Sequence, residues 1–259
     1  MSAAEGPIPY VHVFAVLTFL KQICNDPGLV HPDYDGIGSG KLELLDEILA
    51  EAIESDQKVV IFSQYARMVN RLSQHLERNG IRHVCLTGQS THRGAIVSSF
   101  QNDPDIRVFI GSLLAGGTGI DLTAASVVIH FDRWWNAAKE NQATDRIHRI
   151  GQHRNVQVFK LITRGTVEEH IDRIIAQKRL TFERFVEEDP QAFRSLSRED
   201  LLKLFTSPGT AVAPPDGVAI SGPGLTEQTG RSRNSSGPPA RAKSVEELDG
   251  VTVEPLPEH

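Results

Sequence analysis

Five short runs of apolar, mostly β-branched residues punctuate this chain, with stretches of helical periodicity between them. The runs are Val59–Phe62, Val84–Leu86, Val108–Ile110, Val127–Ile129 and Val156–Phe159. Their near-continuous apolar character is that of strands buried on both faces, as in parallel sheets. Leu42, Leu45, Ile48, Leu49 and Ile53 recur at helical spacing before the first run, and Val69, Leu72 and Leu76 after it. Such alternation, at roughly 30 residues per unit, predicts right-handed βαβ units wound into an α/β, doubly wound parallel sheet with flanking helices. In these sheets ligands gather beyond the carboxyl ends of the strands, which nominates the loops after Phe62, Leu86, Ile110 and Ile129. A further helix is expected from Thr166, where Glu169 is placed to complete a capping box. Its apolar stripe runs through Val167, Ile171, Ile174, Ile175, Phe182 and Phe185.

The pattern stops near Phe205. Residues 207–259 hold 7 Gly, 8 Pro, 6 Ser and 4 Thr among 53, with no aromatic residue, too little apolar surface to offset the entropy of ordering. They are expected to form a disordered tail, leaving residues up to 206 as the folded part. Two cysteines, Cys24 and Cys85, make no disulfide framework and have no metal-ligand spacing. The apolar run Val11–Leu20 contains His12 and has about half the ~20 residues that a membrane span requires, and no leader-like basic segment precedes it. No membrane partner is expected. The net charge of −6 excludes a protein that is basic all over, yet residues 133–184 carry 11 Lys or Arg against 6 Asp or Glu. A local basic face would bind a polyanion with strongly salt-dependent affinity.

Several tempting motifs carry no chemistry. Gly36–Lys41 has the look of a phosphate-binding loop, but Asp35 stands where the first glycine belongs, and Leu42 follows the lysine in place of Ser or Thr. Asp46–Glu47 falls on the polar side of an amphipathic helix. His148 and His153, five apart around a glycine, make a poor metal pair.

Two stretches do carry chemistry. Gln142–Gln152, read as a helix, sets Gln142, Arg146 and Arg149 at i, i+4 and i+7 on one face. A planar, permanently charged guanidinium clamps phosphate oxygens in pairs, and two on one face suit the charge that builds on a transferred phosphoryl group. Gly111–Leu122 follows a predicted strand directly, and its glycines let backbone amides approach an anion. At other strand ends Ser63, Gln64, Thr87, Gly88 and Ser112 could donate to nucleic-acid phosphates, positioning a protein without reading sequence.

In combination these residues resemble the second, RecA-like lobe of superfamily-two helicases, and specifically of Swi/Snf-type DNA translocases. The resemblance spans about residues 20–180. Leu20–Pro27 looks like the family's inter-lobe segment, with Asp26 where histidine is usual. Ser39–Leu42 and Lys58–Tyr65 resemble the start of the lobe and motif IV, and the glycine stretch resembles motif V. Phe131–Asn136 resembles the tryptophan motif, followed by Ala137 in place of proline, and Gln142–Gln152 matches motif VI without a gap. The resemblance implies three parts: 1–40 an inter-lobe helical segment and linker, 41–206 the lobe with its C-terminal helices, 207–259 the tail. It implies that Arg146 and Arg149 are arginine fingers positioned by Gln142, with Gly117, Gly119 and Asp121 near the nucleotide and Trp135 among the DNA contacts. Asp121 departs from the family's usual asparagine, and Leu114 from a frequent Lys or Arg.

ATP and Mg2+ would be held mainly by a first lobe, whose phosphate loop and Asp-Glu pair this chain lacks. Its partners would then be double-stranded DNA and an N-terminal RecA-like lobe, in the same parent chain or as a separate polypeptide. Alone it would be inactive. The site of action would be the bacterial nucleoid, or the nucleus in a eukaryote. A non-catalytic nucleic-acid- or partner-binding module left from a split translocase is the alternative.

Overall fold

Val59–Ser63 (β1) is buried at all five residues, and its side chains divide between two cores. Val59 and Ile61 join one cluster, while Val60 and Phe62 join the other. A strand with apolar side chains on both faces needs helices on both. The computed structural model supplies them, and describes residues 10–112, 120–134, 137–149, 151–173 and 251–253. Around β1 it places α1 (Tyr10–Asn25), α2 (Gly40–Glu54), α3 (Ala66–Arg78), β2 (His83–Leu86), α4 (Arg93–Asn102), β3 (Val108–Ser112), β4 (Val127–His130), α5 (Ala137–Thr144), β5 (Gln157–Thr163), a helix α6 at 167–173, and β6 (Val251–Val253).

The sheet order is β2-β3-β1-β4-β5-β6. The first five strands are parallel, with Val59 level with Val108 on one side and Val127 on the other. This is the wound α/β sheet that the apolar runs predict. Leu44, Leu45 and Leu49 of α2 and Met68, Val69, Leu72 and Leu76 of α3 fill one face. Phe100 of α4 and Ala143 of α5, with Ile147 beyond it, fill the other. Each buried Leu or Met contributes about 1.5–3 kcal/mol, so the helical stripes hold the layers in place. Gly111 has a steric reason to be glycine. A Cβ there would lie 3.0 Å from a Phe109 ring carbon and 3.3 Å from Phe62.

β6 pairs antiparallel with β5, Thr252 opposite Ile162. It falls inside the stretch expected to be unstructured, and Val-Thr-Val is β-branched and covers an otherwise open sheet edge. The rest of 207–259 lies outside the described residues, as do Ile174, Ile175, Phe182 and Phe185 of the expected stripe. At the start of α6, Thr166 Oγ1 accepts the Glu168 N–H at 3.2 Å. Glu169 reaches back to the Gly165 N–H at 3.0 Å, one residue further out than a capping box requires.

The chain winds one way from β1, through α3, and the opposite way from β4, through α5. Their carboxyl ends are therefore neighbours whose continuations diverge, which opens a crevice between them.

Candidate functional site

The crevice is occupied by the chain's own polar residues. Asp132, just past β4, accepts from Ser63 Oγ at 2.5 Å, the Gln64 N–H at 3.1 Å and Asn25 Nδ2 at 3.3 Å. Leu17, Lys21 and Asn25 form the buried stripe of α1, so an apolar helix delivers two polar groups inward. Lys21 Nζ donates to the Arg133 carbonyl at 2.5 Å. Lys41 Nζ donates to the Phe131 carbonyl and Asn25 Oδ1, both at 3.0 Å, and to Glu168 at 2.7 Å. Burial pulls the Lys21 pKa down to about 8 against the opposing charges of Asp132 and Glu168. Burial also pushes the Asp132 carboxyl up, and Lys21 partly reverses this.

Of the predicted nucleic-acid contacts, Ser63 and Ser112 are buried, and Ser63 Oγ is committed to Asp132. The reason is that each ends a central strand covered on both faces. Gln64 stays half-buried, with its Nε2 on the Arg133 carbonyl at 3.2 Å. Thr87 is half-buried and Gly88 exposed, in a turn held by the Thr87 N–H on Ser90 Oγ at 2.8 Å. Trp135 lies outside the described residues. Its neighbour Trp134 is held by its N–H on Glu140 Oε1 at 2.7 Å, and Lys139 Nζ sits 5.8 Å from its ring. These groups share the carboxyl edge of the sheet.

The predicted finger residues gather elsewhere. The expected helix through Arg149 ends at Thr144. Beyond it the ladder shortens, with the Arg146 N–H on Ala143 O at 3.4 Å and Ile147 on Thr144 O at 2.9 Å. The Arg146 carbonyl accepts the Leu122 N–H at 3.0 Å, a tertiary bond that replaces helix propagation. Gln142 therefore points to solvent on α5, whereas Arg146 is only 6% exposed. The three do not share one helical face. Starting near the carboxyl edge, α5 runs back over the sheet toward its amino side. There Arg149 pairs with Asp121, and Gln152 Nε2 donates to the Ala125 carbonyl at 2.6 Å, just before β4 begins. The carboxyl-edge rule thus nominates the predicted nucleic-acid contacts but not the arginines. Gly117 and Gly119 lie outside the described residues.

Arg146 has a buried Nη1 with no hydrogen-bond partner among the described residues. Burial lowers its pKa, Arg149 lowers it further, and Asp121 opposes both. An arginine keeps its charge despite such shifts, so the side chain is an incompletely compensated buried cation. Gln152 and Thr123, beside this cluster, also line a cleft of about 310 Å³ with Lys58, Arg107 and Arg154.

Residue reading missed the buried ions Lys21, Lys41, Asp132, Glu140 and Glu168. Their partners lie up to 127 residues away, and only the resemblance around Leu20–Leu42 and Phe131 marks the first three regions.

The helicase conserved C-terminal domain family matches residues 40–151. The SWI2/SNF2 ATPase C-terminal domain of Sulfolobus solfataricus is similar at 34% identity and a TM-score of 0.62, over 78% of this chain and 84% of that one. The SWI2/SNF2 ATPase core of the same organism, solved in complex with dsDNA, is similar at 36% identity and a TM-score of 0.67, over 80% of this chain and 44% of that one. An uncharacterized ATP-dependent helicase of Mycoplasma pneumoniae is 39% identical over 75% of this chain and 19% of its own length. The chain spans about a fifth of the length of the curated relatives it matches.

Proposed function

The chain belongs to the SWI2/SNF2 ATPases, as the C-terminal lobe of their helicase core, and on that premise we propose that it is the second motor lobe of an ATP-dependent double-stranded DNA translocase. Arg146 and Arg149 are its arginine fingers. Gln142, on the solvent face of α5, helps to position them, and Gly117, Gly119 and Asp121 belong to the nucleotide side. ATP and Mg2+ are held mainly by a first lobe, and this lobe supplies guanidinium charge to the transferred phosphoryl group. Without that first lobe it is inactive, since fingers alone provide neither the phosphate-binding loop nor the metal.

The observation that carries this reading is the buried Arg146 Nη1 that has no partner among the described residues, beside an Arg149 paired with the exposed Asp121. A phosphate would satisfy the first and compete for the second. Double-stranded DNA meets the opposite, carboxyl edge through Gln64, Thr87, Gly88 and Trp135, with Ser63 and Ser112 supporting those loops from inside. Residues 1–40 join the lobes and 41–206 form this one. Closing and reopening of the two lobes steps the pair along one strand, in the bacterial nucleoid or in the nucleus of a eukaryote.

The test mixes this chain with a first lobe and follows DNA-stimulated ATP hydrolysis. Arg149→Ala is expected to remove about 10³-fold of the rate. Full activity in that variant rejects the finger role and favours a non-catalytic binding module.

A further inference from the structure

Glu140 is a buried carboxylate with both oxygens engaged, and the proposed reaction gives it no direct task. It lies in the first half of α5, 1% exposed. Its Oε1 accepts the Trp134 N–H at 2.7 Å, and its Oε2 accepts Arg133 Nη1 at 2.6 Å, with Lys160 Nζ at 3.4 Å. Burial pushes its carboxyl pKa up, but Arg133, His130 and Lys160 outweigh this and hold it below the usual range. It is therefore ionised at neutral pH.

Two neighbours of Glu140 lead toward the two separated regions. Arg133 offers its carbonyl to Gln64 Nε2 at 3.2 Å, and Gln64 stands at the DNA-facing edge. In the other direction, Thr144 Oγ1 donates to the Glu140 carbonyl at 3.2 Å and lies 3.1 Å from His130 Nε2. Ala143 and Ile147 anchor the following turn in the core, and Arg146 is then fixed through its carbonyl. From Glu140 to Arg146 is six residues, roughly 9 Å at helical rise. Stability alone does not call for such a carboxylate, because a buried ion pair is commonly replaceable by apolar residues of similar volume. What apolar residues cannot do is grip a backbone N–H of the tryptophan loop.

We propose that Glu140 is a positioning residue that couples the DNA-facing loop at Arg133–Trp134 to the arginine pair, with α5 as the rigid connection. This rests on the finger assignment made above. A loop displaced by DNA carries the Trp134 N–H and the Arg133 side chain with it. The carboxylate passes that displacement to α5, at whose far end Arg146 and Arg149 lie. Coupling of this kind is a free energy between two sites, conveyed by an element packed against both.

The experiment compares ATP hydrolysis with and without duplex DNA in the two-lobe protein. Glu140→Gln is expected to lower the ratio of DNA-stimulated to DNA-free rate by about 10-fold, inside the usual range for inter-site coupling. The DNA concentration for half-maximal stimulation should move far less. Glu140→Asp keeps the charge for Arg133 but is one methylene short of the Trp134 N–H. It must lower the ratio too, and it serves if the glutamine variant does not fold. An unchanged ratio in a folded variant overturns the proposal. So does an equal fall of both rates, which assigns Glu140 to the fold alone. Arg149→Ala run in parallel separates the two readings, because full activity there overturns the finger role whatever Glu140 does.

Discussion

His130 closes β4 with its ring stacked on Phe62, centroids 5.8 Å apart, and its Nδ1 buried with no partner among the described residues. Burial pulls its pKa from 6.5 to about 4, with Glu140 opposing and Lys160 and Arg133 assisting. The unfolded chain therefore takes up this proton before the folded one does. The stability contributed by neutral His130 is complete above pH 6.5 and is lost as pH falls from 6.5 toward 4. Over that window the loss amounts to about 3 kcal/mol. His130→Gln, which keeps a group for Thr144, should flatten the pH dependence of urea unfolding between those limits by that amount. Equal slopes for the two proteins would show that the ring is charged when folded. Lys41 makes the related point about legibility. In the sequence it ends a glycine-rich decoy, and only the fold shows it fully buried against Glu168.

At the scale of elements, the five apolar runs were sufficient to read the strands, since side chains committed to both faces leave little else for such a run to be. The end of α5 could not be read this way. Periodicity carries Gln142, Arg146 and Arg149 onto one face, but the Leu122 N–H claims the Arg146 carbonyl from a distant loop, and no local signal in the sequence announces that bond. The α6 cap, by contrast, is local chemistry: the sequence marks Thr166 and Glu169 as the capping pair, although their bonds go to the Glu168 and Gly165 N–H groups rather than to each other's. Thr166 Oγ1 accepts one orphan N–H and donates to the Thr163 carbonyl at 2.6 Å. Thr166→Ala should cost about 1 kcal/mol in chemical denaturation, and Thr166→Ser much less. A loss as large from the serine variant would show that the methyl group matters and the cap does not.

For the molecule as a whole, the decisive feature is that its two proposed ligands approach opposite ends of one sheet. Charge counted along the chain hides this. Of the basic residues that give 133–184 its excess, Arg133, Arg149, Lys160 and Arg173 are paired with carboxylates, and Arg133 is buried besides. These ion pairs reduce the number of cations free to neutralise phosphates, so the salt dependence should be shallower than composition alone suggests. With about 0.9 per neutralised phosphate, two contacts give a slope near −2 in log affinity against log salt. The same geometry separates two substitutions in a titration of this lobe with labelled duplex at low salt. Gln64→Ala removes a donor at the carboxyl edge and should weaken binding about 2- to 10-fold, the worth of one hydrogen bond. Arg149→Ala removes a full charge, yet from the amino side, and should leave DNA affinity where it was. If the arginine variant weakened binding as much as the glutamine variant, DNA and nucleotide would share one edge, and α5 would have nothing to connect.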